Sequence, residues 1–308
     1  MNRRGVFFTL VVIAAISLFL ISYTFYKNYS SRDTIHDRVN TLNNFLFSVE
    51  ENLERQIFIS GFRSIFIMQK ESIENGFYIS NVSHSLNELF FNGTFNSVDQ
   101  PIMLGATFSD LQVDILQKAN KINADIFLSN PSIFIRQSDP WNIEVVFNVE
   151  LNAQDQGNLV RWNKTQTYYS KIPIKDFEDP LYLLNTGGAI SNKIIQTPFT
   201  NFTSGSSTAN LNNHTSSKYY KSNPQAPSYL NRLQGSNLAD ENGIESFVYS
   251  PQLSNQGITP KDKSLVDYIY FSSDNPISCR ITGMPSWFKV DQQHLDDYGL
   301  NGLEHSCN

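Results

Sequence analysis

Val6–Tyr26 reads VFFTLVVIAAISLFLISYTFY, twenty-one residues without a charge. A helix rises about 1.5 Å per residue, so this stretch would be about 31 Å long, close to the hydrocarbon thickness of a bilayer. Tyr23, Phe25 and Tyr26 fall at its far end, where rings with a wet and an apolar side favour the membrane–water interface. Arg3 and Arg4 precede it, and the positive-inside rule then puts the N-terminus in the cytoplasm. No second stretch of this kind follows. The expected topology is a single pass at the cell membrane, with residues 1–5 as a basic cytoplasmic leader, 6–26 in the lipid bilayer and the bulk extracellular. A cleaved secretory signal fits less well: its apolar region would run about 7–15 residues and end in small side chains, whereas bulky Tyr and Phe stand here.

Beyond Lys27 there is no Gly or Pro until Gly61. Ile35, Val39, Leu42, Leu46, Val49, Leu53 and Ile57 recur at spacings of four and three, one apolar stripe on a helix. The spacing predicts an amphipathic helical stalk over 27–75, ending near Asn75-Gly76. The stripe has two possible uses, packing on the chain's own head or contact with like subunits.

After Gly76 the pattern turns to α+β. Ser85–Phe91 reads as a short helix, and Ser109 with Gln112 as a capping box opening a helix to about Asn123. Ile143, Val145, Phe147, Val149 and Leu151 alternate with polar neighbours over 142–152, a half-buried strand. Asp155–Asn158 supplies a turn, and 159–174 the returning strand of a hairpin. Residues 126–136 and 265–271 are further strand candidates; in the latter Val266, Tyr268 and Tyr270 share a face. The expected class is α+β: a transmembrane helix continuing into the stalk, then an antiparallel sheet-rich head over 76–199. Residues 200–227, rich in Ser, Asn, Thr and Gly, read as a flexible loop. Residues 228–308 form the C-terminal part of the head.

Composition narrows the function. Only 17% of residues are charged, and the net charge of −6 has no basic cluster; nucleic-acid binding is not expected. The chain has two cysteines, Cys279 and Cys307. In an oxidising exterior they would pair, closing a loop worth roughly 3–4 kcal/mol; the other reading is two free thiols. Six N-x-S/T sequons occur, of which Asn201 and Asn213, in the expected loop, are the glycosylation candidates. Of the histidines, His294 with Asp297 or His305 beside Cys307 could ligate a metal, but no ligand motif is present and they read better as surface residues. No metal or cofactor is therefore expected. GxSxG, P-loop and GxGxxG motifs are missing, and no catalytic residue is assigned. Asp176, Glu178 and Asp179 beside Pro180 read as a solvated turn, and Gly187-Gly188 as a tight turn needing positive φ. Trp141, Trp162, Tyr168, Tyr169, Tyr219 and Tyr220 suit either a contact face or the core.

Arg3-Arg4-Gly5 followed by Val6-Phe7-Phe8, with the bipartite helix, resembles type IV pilins and archaeal pilin-like proteins with a class III signal. The resemblance covers about the first seventy residues and implies cleavage between Gly5 and Val6 by a prepilin-type peptidase, the helix remaining as anchor or filament core. Two cysteines near the C-terminus are similar to the disulfide loop of many bacterial pilins. The chain departs from many of these in carrying Leu10 where they have a glutamate. It is also similar to archaeal membrane-anchored proteins through FEDPLYLLNT (177–186) and GMPSWF (283–288), a resemblance that implies no activity. The expected function is thus structural and not enzymatic: a minor pilin-like subunit of a surface filament or envelope assembly. The alternative is a permanently anchored module that binds or senses a glycan, peptide or envelope partner.

Overall fold

The computed structural model describes residues 3–308, with side chains described except at 3–6 and 28–34. Helix α1 (Arg3–Asn75) is followed by α2 (Val82–Asn92), a small β1–β2 hairpin (Thr94–Phe95, Val98–Asp99) and α3 (Phe108–Asn120). A three-stranded sheet comes next, in the order β3 (Ala124–Asp139), β4 (Asn142–Asp155), β5 (Arg161–Pro173). Its connections are too short for anything but an antiparallel meander. The rest alternates short elements: α4 (Pro180–Asn185), α5 (Ala209–Ser216), β6 (Tyr220–Ser222), α6 (Tyr229–Leu233), β7 (Ile244–Ser246), α7 (Ser250–Asn255) and α8 (Asp267–Phe271). Last come β8 (Ser278–Ile281), β9 (Lys289–Asp291), α9 (Gln292–Asp297) and β10 (Glu304–His305). Strand β6 pairs antiparallel with β7, and β8 lies between β10 and β9.

The fold is therefore α+β, with an apolar N-terminal helix and antiparallel sheets. It divides into two compact units, Met1–Leu53 with Leu111–Pro131 and Asn148–Gln166, and Glu54–Asp110 with Ser132–Phe147 and Thr167–Asn308. In the first, Leu42, Val49 and Leu53 are buried, as are Ile115, Ile126 and Leu151. Arg38 Nε donates to Asp155 Oδ1 at 2.7 Å, and this bond holds the Asp155 carboxyl below the usual carboxylate range. In the second, the rings of Phe90, Phe108 and Phe147 pack together, with centroids 5.4 to 6.0 Å apart.

Strand β4 follows its alternation: Ile143, Val145, Phe147, Val149 and Leu151 are all buried. Glu144 and Val146 are buried too, so this middle strand is covered on both faces there rather than half-buried. Arg136 meets the Glu144 carboxylate at 2.8 Å. The turn over 155–158 forms, with Asn158 at φ 57°.

Several expectations change. The capping box of α3 is Thr107 with Asp110, not Ser109 with Gln112: Asp110 N donates to Thr107 Oγ1, and the Asp110 carboxylate accepts from Thr107 N. Residues 267–271 are helical, not a strand. The segment 200–227 holds α5 and β6 and buries Phe202, Leu211, His214, Thr215, Tyr220 and Ala226, so it is not the open loop its composition suggests. Most of its large apolar side chains point inward, with Tyr219 half-buried, and average polarity hid them. Four of the seven stripe residues, Leu42, Val49, Leu53 and Ile57, are buried within the chain itself. A contact with like subunits through the stripe would therefore rest on Ile35, Val39 and Leu46.

Candidate functional site

From Phe7 to Lys27 every residue of α1 is exposed, although the segment carries no charge before Lys27 and is strongly apolar on average. Phe8, Phe19 and Phe25 show about 70% of their surface. In water such an apolar cylinder would be an unmet cost of several kcal/mol per turn by area alone, so it needs another environment. Gly5 and Val6, the expected cleavage site, and the sequon at Asn28 have side chains outside the described residues.

The second compact unit carries two buried polar clusters. Three helix starts build the first. Asp179 caps α4 by accepting from Leu181 N at 2.9 Å, with Pro180 at the first helical position. Ser228 caps α6 and sets Arg232 one turn in. Asp267 is the first residue of α8. The Arg232 guanidinium, fully buried, donates from Nη1 to Asp179 at 2.6 Å and to Asp267 at 2.9 Å, and from Nη2 to Asp267 at 3.1 Å and to the Ile244 carbonyl. Burial disfavours the cation, but the Asp179 and Asp267 charges outweigh it and keep Arg232 protonated. Tyr220 donates to Asp179 at 2.8 Å, and Ser246 N and Oγ donate to Asp267. Asp179 is thus not in a solvated turn, as KDFEDP suggested. It is a buried counter-ion, and its sequence neighbours gave no hint of Arg232.

The second cluster centres on His294 of α9, which is buried and not at the surface as expected. Its Nδ1 lies 2.7 Å from Asp291 Oδ1, and its Nε2 lies 3.2 Å from both Glu245 Oε2 and the Tyr268 hydroxyl. Burial alone would lower its pKa; hydrogen bonds to Asp291 and Glu245, with their charges, win and raise it to about 10. Ser264 Oγ holds the other Asp291 oxygen at 2.7 Å. Asn223 Nδ2 bridges Glu245 Oε2 at 2.8 Å and Asp297 Oδ2 at 3.0 Å. Sequence reading had paired His294 with Asp297. Glu245, a lone acid inside the apolar run Ile244–Val248, was the signal it missed.

His214, on α5, is the other buried histidine. Phe202, Phe247 and Tyr298 surround the ring with centroids 4.9 to 5.9 Å away, and Nδ1 meets Thr197 Oγ1 at 3.0 Å. Among the described residues Nε2 has no hydrogen-bond partner. Burial, helped by the Lys221 charge, lowers its pKa from 6.5 to about 3. The fold holds this ring neutral while the unfolded chain takes up a proton, so His214 removes stability as pH falls through 6.5 toward 3. Between pH 7 and 5 the loss is about 2 kcal/mol at roughly 1.4 kcal/mol per unit. Denaturant unfolding at both pH values should show a His214→Gln variant losing less stability on acidification than wild type by about that amount. Equal losses would remove His214 as the cause.

The remaining expected residues are dispersed. Cys279 and Cys307 form a disulfide. Asn201 and Asn213 are both exposed, but Asn213 lies in α5 and its sequon partner Thr215 is buried. Gly187 and Gly188 take φ 58° and 80°, the tight turn expected. Tyr168 and Tyr220 are core residues, whereas Trp162 and Tyr169 are exposed. A groove of about 490 Å³, lined by Phe62, Phe66, Ile73 and Phe177 together with charged residues of both signs, among them Lys70, Glu74, Asp176 and Lys193, opens in the second unit. No family model, curated protein or solved structure matches the chain.

Proposed function

We propose that this chain is a single-pass, membrane-anchored extracytoplasmic protein of the type IV pilin-like kind, a minor subunit of a surface filament or envelope assembly, and not an enzyme. The observation that carries the reading is the exposed apolar segment Phe7–Lys27 within α1. Its length suits a bilayer, and no part of it is covered by the chain's own fold. Arg3 and Arg4 at its start and Tyr23 and Tyr26 near its end favour a cytoplasmic N-terminus. The Cys279–Cys307 disulfide favours an oxidising exterior for the bulk. That α1 runs on to Asn75 as one element supports a helix that is first anchor and then stalk.

Alkaline carbonate washing of membranes should leave the protein in the pellet, and protease added to intact cells should digest its bulk. Release by carbonate, or protection from protease, would overturn the anchored topology. Mass spectrometry of the N-terminus then separates the two readings within it. A chain beginning at Val6 supports the pilin-like subunit; retention of Met1 or Asn2 favours a permanent anchor. The groove lined by Phe62, Phe66, Ile73 and Phe177 favours this second reading, a surface module that binds or senses a partner through an apolar contact.

A further inference from the structure

Resting on the reading of the groove in the second unit as a contact surface, we propose that its occupant is a second copy of this chain. The apolar turn Ile102–Leu104 of each copy enters the groove of the other. Both halves of such a contact are present in one chain. The concave half is lined by Phe62, Phe66, Ile73 and Phe177. On α1 the rings of Phe58, Phe62 and Phe66 recur every four residues, one face of the helix, and each shows about 40% of its surface. The same stretch of helix buries Ile57, Ile65 and Met68 on its other side. A contiguous apolar face left open on a chain that packs its other apolar residues marks a contact site.

The convex half is the turn that follows the β1–β2 hairpin. Leu104 shows 82% of its surface, more than any other large apolar side chain among the described residues. Val98 and Ile102, close by in sequence, are exposed as well. A lone exposed leucine is ordinary, but this one belongs to a group and is held in place. Met103 is buried beneath the turn, and Arg63 Nη1 donates to the Ile102 and Leu104 carbonyls at 2.9 and 3.0 Å. The Glu88 carboxylate accepts from Asn96 N and Ser97 N and fixes the tip of the hairpin. A protrusion ordered in advance loses little freedom when it docks.

Position and charge select the occupant. Arg63, which holds the turn, stands on α1 between Phe62 and Phe66, which line the groove, so turn and groove are neighbours on one unit. Adjacent knob and socket are self-complementary: a two-fold rotation sets each turn into the other copy's groove and closes the pair. Asp99 precedes the turn, and Lys175 and Lys193 stand exposed at the groove; among the described residues none of these three side chains forms a hydrogen bond or ion pair. Of the groove's acids, Glu74 pairs with Lys70 at 3.3 Å and Glu178 accepts from Ser191 at 2.8 Å, which leaves Asp176. The unpaired charge at the groove is thus positive on balance and suits the acid that comes with the turn. A second copy covers both apolar surfaces at once, whereas an acyl chain or a foreign peptide in the groove would leave Leu104 in water.

The test uses the full chain purified in detergent. Sedimentation over a concentration series should show a monomer–dimer equilibrium. Leu104→Asp, at an exposed position, should weaken it at least about ten-fold, as should Phe66→Asp in the groove. Leu238→Asp, at an exposed leucine outside both surfaces, should associate as wild type does. Chains carrying Leu104→Cys and chains carrying Lys70→Cys, differently tagged and mixed, should be joined by a short thiol crosslinker; a mixture of Leu104→Cys with Leu238→Cys should not. The native cysteines are both in the disulfide and stay silent. A monomer at every concentration overturns the proposal, and so does a dimer that Leu104→Asp leaves unchanged. A photo-crosslinker placed at Phe66 in intact cells then separates the two failures. Capture of a different molecule leaves the groove a contact surface with another occupant, and no capture removes the contact surface as well.

Discussion

Replacing Arg232 by methionine is expected to remove about 3–5 kcal/mol of stability, a large fraction of what holds a domain folded. The side chain is wholly buried and faces two carboxylates, Asp179 and Asp267, at 2.6 and 2.9 Å. Methionine fills similar space but leaves both acids buried without a counter-charge, one of the few defects that reach this size. The same geometry predicts an asymmetry. The cluster sets one guanidinium against two carboxyl groups, and burial pushes the Asp179 carboxyl up, so Asp179→Asn still leaves Arg232 paired with Asp267. Asparagine can also still cap α4 in place of Asp179. Its cost should be well below that of Arg232→Met. Urea unfolding followed by circular dichroism measures both. A loss under about 1 kcal/mol for Arg232→Met, or a larger loss for Asp179→Asn, would mean that the cluster is not held by its charges.

What the sequence disclosed followed the range of the interaction. The uncharged run to Tyr26 and the alternation through β4 are local patterns with a fixed period, and the Asp155–Asn158 turn needs only its own four residues. The segment 200–227 has no such period. Phe202, Leu211, His214 and Tyr220 are irregularly spaced, and Phe202 and His214 pack on partners as distant in sequence as Tyr298 and Phe247. Around 265–271 the alternation of Val266, Tyr268 and Tyr270 matched a strand, yet five residues are too few for period to separate strand from helix. Asp267 decides it by turning its carboxylate toward Arg232 at the start of α8. The cluster around His294 was half legible for the same reason: His294 and Asp297 sit on one turn, while Glu245 arrives from β7, about fifty residues earlier.

Cys307→Ser is expected to cost roughly 3–4 kcal/mol, next in size to the loss of Arg232, because the disulfide closes a loop of 28 residues and restricts the unfolded chain accordingly. The exposed partner is the one to replace, since serine at the fully buried Cys279 would add an unmatched hydroxyl and confuse the two effects. The folded side has less to lose. Strand β8 is still paired with β9 through Cys279 and Val290. By contrast, β10 rests on Glu304 and His305 against β8, with the Ser278–Asn308 bonds and Lys289 Nζ on Asn308 beyond them. Hydrogen exchange should therefore quicken over 304–308 and stay slow over 278–281, while the unfolding midpoint falls. Reducing the wild-type protein should give the same two changes. An unmoved midpoint on reduction would show that β10 and the chain around it hold without the covalent link, and the crosslink's contribution would then be near zero.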